Sequence, residues 1–386
     1  MICITKLLLG KATVSEAIKY SKVEKPPAEM LHFSTKATPI VVWNMTRKCN
    51  LKCKHCYIEA KVTEQKGELT TEEAKSFIED LAKNKIPVLL LSGGEPLLRE
   101  DFFELAEYAN NLGLRVVVST NGTLITESIA ERMKGIIQYV GVSLDGLPST
   151  HDKFRGVEGA FDQALRGIKN SLKAELKTGI RFVVNKENYD ELPKLIDFAA
   201  EQGIQRFCIY HLVYAGRGKE IINLDITNEQ RRKMMDMLIE KALKYPEMEI
   251  LTTDNHADGI YLYNYIKKHN EERAEEVLKL LEIHGGCSAG YKFACVDNLG
   301  NVHPCQFWSH YTIGNVKEKK FSEIWNGKDE LLKKLREKPK HLKGKCKECK
   351  YNMLCGGCRV RAESYYNDLW EEDPCCYLEK EEINKI

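Results

Sequence analysis

Residues 43–57 read WNMTRKCNLKCKHCY and put thiols at positions 49, 53 and 56 of one short loop. Three is an awkward number. A closed structural zinc site takes four protein ligands, and disulfides consume thiols in pairs. A four-iron cluster held by three thiolates leaves one iron open for another molecule. The loop follows an apolar run, 39–45, that reads as a strand, so the three thiols stand at a strand's C-terminal end.

Outward from this loop the same strand–loop–helix unit repeats. Runs at 87–96, 114–123, 136–146, 178–185 and 204–213 read as further strands, and 70–84, 101–113, 126–135, 161–174 and 190–203 as helices. Thr70 followed by acidic residues reads as a helix cap, and Gly113 as a helix stop. Several strands are nearly continuous apolar runs, as strands covered on both faces are. The expected fold class is α/β: a partial (β/α)6 TIM-like barrel with a C-terminal cysteine-rich domain. The segments Ser92-Gly93-Gly94-Glu95, Ser119-Thr120-Asn121-Gly122 and Ser143-Leu144-Asp145-Gly146 all fall at the same strand ends as the thiols. Barrel active sites form at that end.

The chain divides into an N-terminal extension over 1–38, broken by Pro26-Pro27, a barrel over 39–224, a charged helical bridge over 225–284 and a cysteine-rich domain over 285–386. Its 58 basic residues nearly cancel 56 acidic ones, leaving +2, so no global attraction to nucleic acid or anionic membrane follows. No window reaches about 18 apolar residues, and the first twenty residues lack a secretory cleavage pattern. The expectation is a cytoplasmic protein with no nucleic-acid or membrane partner. Fourteen cysteines in that compartment point to metal rather than disulfides.

The pattern Cys49-x3-Cys53-x2-Cys56, with His55 just before the last thiol, resembles the signature of the radical S-adenosylmethionine (SAM) superfamily. The resemblance implies that these three thiolates hold a [4Fe–4S] cluster, with SAM chelating the open iron and yielding a 5′-deoxyadenosyl radical. A zinc site completed by a distant cysteine is the bland alternative. Gly93-Gly94-Glu95 resembles the family's GGE motif, which implies contact with the SAM amino group. Ser143, Arg155 and Asn121 sit where relatives contact SAM, although Asn121-Gly122 is also a good turn by itself.

The C-terminal region carries CSAG (287–290), GNVHPC (300–305), FSEIW (321–325) and CKECKYNMLCGGCRVRAE (346–363). Paired CxxC motifs are the mark of metal, zinc knuckles included. Together these stretches resemble the SPASM extension of radical SAM enzymes, which carries auxiliary iron–sulfur clusters. The resemblance implies one cluster on Cys346, Cys349 and Cys355 with a late cysteine, Cys376 rather than Cys375. It implies another on Cys287, Cys305 and Cys358, with Cys295 either the fourth ligand or a buried free thiol. One or two auxiliary [4Fe–4S] clusters are therefore expected.

Three further stretches, 28–57, 208–218 and 301–316, look like the siroheme-dependent haem-biosynthesis branch of this family. That branch implies removal of acetate side chains from an iron tetrapyrrole, didecarboxysiroheme giving iron-coproporphyrin III. Haem synthase and haem d1 enzymes of the same branch remain alternatives, as does a peptide-modifying maturase. For the maturase, the 38 residues before the barrel are too few for a precursor-binding winged helix. A non-catalytic zinc module is the reading from another class. His211, Tyr214, Arg217 and Lys219 follow the sixth strand and are candidates for binding substrate carboxylates. His310 is a candidate for the macrocycle iron or a structural hydrogen-bonder. A low-potential donor such as ferredoxin or flavodoxin is the implied redox partner.

Overall fold

The computed structural model describes residues 1–10 and 38–384. Its strands are β1 (Ile2–Cys3), β2 (Ile40–Asn44), β3 (Leu89–Ser92), β4 (Val116–Thr120), β5 (Ile137–Ser143), β6 (Thr178–Val184), β7 (Arg206–His211), β8 (Glu249–Thr253), β9 (Phe293–Val296), β10 (Asn301–His303) and β11 (Gly314–Asn315). They form one mixed sheet in the order β1-β8-β7-β6-β5-β4-β3-β2-β9-β10-β11. Strands β2 to β8 are parallel neighbours in chain order. The six strands expected from the sequence are β2 to β7.

Helices link these strands for reasons visible in the sequence. The helix Thr71–Lys83 starts at a capping box, in which Thr70 Oγ1 accepts from the Glu73 N–H and the Glu73 carboxylate accepts from the Thr70 N–H. Its apolar residues Ala74, Phe77, Ile78 and Leu81 recur at helical spacing and are buried. They cover the side chains of Val41, Trp43, Leu89 and Leu91, which are also buried. Each such residue contributes about 1.5–3 kcal/mol when taken out of water. This core lies between sheet and helices and leaves the C-terminal strand ends free for polar chemistry.

Two expectations need correction. The segment 225–284 is not a purely helical bridge: between Asn228–Lys244 and Ala257–His269 it supplies β8, a seventh parallel strand. The opening residues are not a detached extension. Ile2 and Cys3 pair antiparallel with Thr252 and Leu251 of β8, and the helix Ile4–Leu9 packs beside them. The Pro26-Pro27 break lies outside the described residues. The cysteine-rich region also joins the sheet, since β9 lies parallel to β2. Among the described residues no helix is long and apolar enough to cross a membrane.

Candidate active site

The cysteine loop leaves β2 and is held from three sides by backbone. On the β3 side, the Gly94 N–H donates to Thr46 O at 2.8 Å and the Glu95 N–H to Lys48 O at 2.8 Å. A Cβ on Gly94 would stand 2.1 Å from Lys48 O, so the strands can approach this closely only because the residue is glycine. From the helix Pro148–Arg155, the carbonyls of Arg155 and Phe154 accept from the N–H groups of Lys52 (2.9 Å) and Lys54 (3.0 Å). After β7, the Arg217 N–H donates to Cys56 O at 3.1 Å.

Each sulfur has an N–H donor. Leu51 N–H reaches Cys49 Sγ at 3.4 Å, Arg155 Nη1 reaches Cys53 Sγ at 3.5 Å, and Ala60 N–H reaches Cys56 Sγ at 3.3 Å. Burial nevertheless pushes the Cys49 thiol up to about 12 and raises Cys53 as well. Such thiols become thiolates only when a metal shares the charge. All fourteen cysteines are free of disulfides.

The loop forms one wall of an open cleft at the strand ends. Of the expected residues, Cys49, Cys53, His55, Cys56, Gly93, Gly94, Asn121, Ser143, Arg155, His211 and Arg217 all line it. His55 stacks on Phe154 with ring centroids 4.6 Å apart. Asn121 Nδ2 donates to Asn50 Oδ1 at 2.8 Å and approaches Cys49 Sγ at 4.0 Å. His211 Nε2 meets Asp258 Oδ2 at 2.9 Å. A carboxylate only accepts, so Nε2 carries the proton. Nδ1 of His211 is buried and without a partner among the described residues.

Other candidates are placed differently. Glu95 is fully buried and does not line the cleft; its carboxylate accepts from Thr120 Oγ1 (2.7 Å), Asn121 N–H (2.8 Å) and Leu97 N–H (3.2 Å). It holds the β4 turn in this structure. Burial raises its carboxyl to about 7. Tyr214 is also off the cleft, donating to Asp225 Oδ2 at 2.7 Å beside Arg231 and Cys375. Arg217 turns its side chain into the loop: Nε donates to Cys53 O at 2.9 Å and Nη1 to Ala60 O at 3.3 Å. Lys219 is exposed, and His310 pairs with Glu363 at 3.2 Å.

The cysteine-rich domain holds two thiol groups. Cys346 and Cys376 lie within electrostatic reach of Cys355, and Cys346 within reach of Cys349. Cys287 and Cys358 lie within reach of Cys305. Cys375 instead contacts Tyr214, Arg231 and Asp225. Cys295 stands on β9 opposite His303 of β10. It is buried in β9, where Asn44 Nδ2 approaches its sulfur at 3.5 Å, and the one charged neighbour that raises it is Asp297. Arg361 keys the domain to the rim: it donates to both Asp373 oxygens at 2.8 Å, to Leu212 O at 3.0 Å and to Asp254 O at 2.8 Å.

Sequence reasoning missed Tyr57, Arg181, Tyr210, Asp254, Gln306 and Phe307, which also line the cleft. Phe307 follows Cys305, and the T-shaped Tyr57–Phe307 pair, centroids 5.3 Å apart, is formed across 250 residues of sequence. Only the folded chain reveals it.

Comparison with known proteins decides the family. The radical SAM superfamily matches residues 43–199, and the SPASM iron–sulfur cluster-binding domain matches residues 287–350. The chain is 48% identical over 394 residues to the Fe-coproporphyrin III synthase of Methanosarcina barkeri, covering 99% of both chains. It is 43% identical to the pre-heme d1 synthase of Dinoroseobacter shibae, over 88% of this chain and 86% of that one. This chain belongs to the radical SAM/SPASM enzymes of haem biosynthesis. The fold also matches Streptococcus suis SuiB bound to its precursor peptide SuiA, with a TM-score of 0.73 at 21% identity, over 92% of this chain and 82% of that one.

A radical SAM/SPASM enzyme uses SAM and iron–sulfur clusters, and the residues present fit them. Three thiols, two buried and one half-buried and each with an N–H donor, face an open cleft with no fourth thiol on the loop. When bound, the cluster and SAM supply a carbon radical that abstracts hydrogen from substrate. The chain's own part is to fix the loop, exclude water from it and line the space beside it.

Proposed function

We propose that the enzyme removes acetate side chains from an iron tetrapyrrole, converting didecarboxysiroheme to iron-coproporphyrin III. The observation that carries this reading is the 48% identity to Fe-coproporphyrin III synthase over 99% of both chains. In support, one open cleft brings the thiol loop, Arg155, Arg181 and His211 together. Tyr57, Phe307 and Tyr210 give it aromatic walls suited to a flat macrocycle.

In this reading Cys49, Cys53 and Cys56 hold the cluster that meets SAM. Ser143, Arg155, Asn121, His55 and the backbone of Gly93-Gly94 surround SAM. Cys346, Cys349, Cys355 and Cys376 hold one auxiliary cluster, and Cys287, Cys305 and Cys358 supply thiolates to another. His211 lines the substrate side of the cleft, with Asp258 fixing its orientation. The unit boundaries follow the thiols, a barrel from residue 39 and an iron–sulfur domain from residue 285. A cytoplasmic ferredoxin or flavodoxin supplies electrons.

The test is anaerobic turnover of reduced, fully clustered protein with didecarboxysiroheme and SAM, followed by mass spectrometry. Two acetate groups should be lost in sequence, with a mono-deacetylated species that rises and then vanishes. Hydrogen abstraction needs near contact between radical and target carbon, so the macrocycle must re-dock between events. Conversion of iron-coproporphyrin propionates to vinyl groups, or modification of a peptide alone, would overturn the substrate assignment.

A further inference from the structure

Resting on that reading, we propose that Arg181 is the receptor for a carboxylate side chain of the substrate, and that Gly141 and Tyr210 hold it in position. Arg181 lies on β6 opposite Ser143 of β5, and both line the cleft. Its stem crosses Gly141, where a Cβ would stand 2.9 Å from Arg181 Cδ. Its guanidinium lies over the Tyr210 ring, 4.6 Å from the centroid. Stem and head are thus fixed by a gap and a ring, a preorganised arrangement for a guanidinium.

The other cleft arginines are engaged in part, with Arg155 Nε and Arg217 Nη2 the nitrogens left without a partner among the described residues. Arg155 is paired with Asp145, and Arg217 donates to two loop carbonyls. Arg181 makes no side-chain hydrogen bond or ion pair among the described residues. Of the carboxylates nearby, Asp145 is bonded to Arg155 and to the Val183 N–H at 2.5 Å. Asp254 lies within electrostatic reach but does not pair with Arg181, and its Oδ2 is itself unpartnered. A guanidinium lining an open cleft without an acceptor is a site for an anion with two parallel oxygens. A tetrapyrrole side chain and the amino-acid carboxylate of SAM share that chemistry. We assign the tetrapyrrole because Ser143 and Arg155 already stand beside the thiol loop for SAM.

Arg181→Gln and wild type, both fully clustered, are titrated with iron-coproporphyrin III and with its tetramethyl ester by Soret absorbance, and with SAM. The variant should bind the tetra-acid about 10- to 100-fold more weakly, as expected for loss of a charged hydrogen bond. Arg181→Lys should recover part of this, and the ester should bind both proteins alike. SAM affinity and uncoupled deoxyadenosine formation should stay at wild-type levels. If Arg181→Gln fails to load its clusters, Gly141→Ala, which displaces the stem and keeps the charge, makes the same test. Equal tetra-acid affinity in variant and wild type overturns the assignment alone, and a loss confined to SAM transfers Arg181 to the cosubstrate. A wild type that binds no tetrapyrrole overturns the functional reading and this assignment together.

Discussion

Arg217 donates its Nε–H to the carbonyl oxygen of Cys53 at 2.9 Å, across 164 residues of sequence. The contact makes a residue expected to meet substrate into a brace for the cluster loop.

Arg217→Ala should therefore loosen the loop. Loss of hydrogen bonds from a charged donor costs about 1.5–3 kcal/mol. The variant should lose iron from the SAM site on gel filtration and cleave SAM slowly. Normal iron with weakened tetrapyrrole binding alone would contradict the brace.

Changing Cys49, Cys53 and Cys56 together to Ala should abolish deoxyadenosine formation while the iron of the C-terminal thiol groups remains. Electron paramagnetic resonance of the reduced protein distinguishes the two populations. SAM cleavage at the wild-type rate would refute the assignment of the loop.

Gly94→Ala sets a methyl group 2.1 Å from the Lys48 carbonyl oxygen. Because that obstacle is backbone, the loop has to shift. The expected result is loss of the SAM-site cluster with little change at the auxiliary sites, read by iron content and visible absorbance.

Burial pushes the Glu95 carboxyl up to about 7 from an ordinary 4.5, because it penalises the charged form. A raised carboxyl pKa means the unfolded chain releases this proton first. Glu95 therefore contributes a loss of stability as pH rises from about 4.5 to 7, level beyond that. Glu95→Gln should remove this slope, by roughly 3 kcal/mol across the window. Thermal midpoints of both proteins at pH 5 and pH 8, taken anaerobically, check it. An unchanged difference between the two pH values would show that Glu95 is charged throughout.

Asp373→Asn leaves the buried Arg361 without its full counter-charge. Breaking a buried pair from one side costs about 3–5 kcal/mol. A clear fall in the thermal midpoint is expected, with iron lost from the C-terminal thiols.

The six barrel strands and the Thr70 cap were legible because alternation, apolar runs and capping chemistry are local. β8 was not, because its sequence, EILTT, is short, lies between charged helices and begins with Glu249. That glutamate is buried only because Arg206 donates to it at 2.8 and 2.6 Å from the neighbouring strand. The thiols of the SAM loop were readable from spacing alone. That Glu95 and Tyr214 lie off the cleft could not be read, because strand-end position tells which rim a residue occupies, not which way its side chain turns. Arg181 was invisible because what defines it, Gly141 and Tyr210, lies on two other strands.

Arg361 donates to the carbonyls of Leu212 and Asp254 from a point more than a hundred residues later in the chain. A growing polypeptide therefore completes the thiol loop long before the residues that cap its rim exist. During that interval the loop faces an unroofed cleft, since Gln306 and Phe307 have yet to be made. Chain order thus makes the thiol loop first and the residues that cover its rim last.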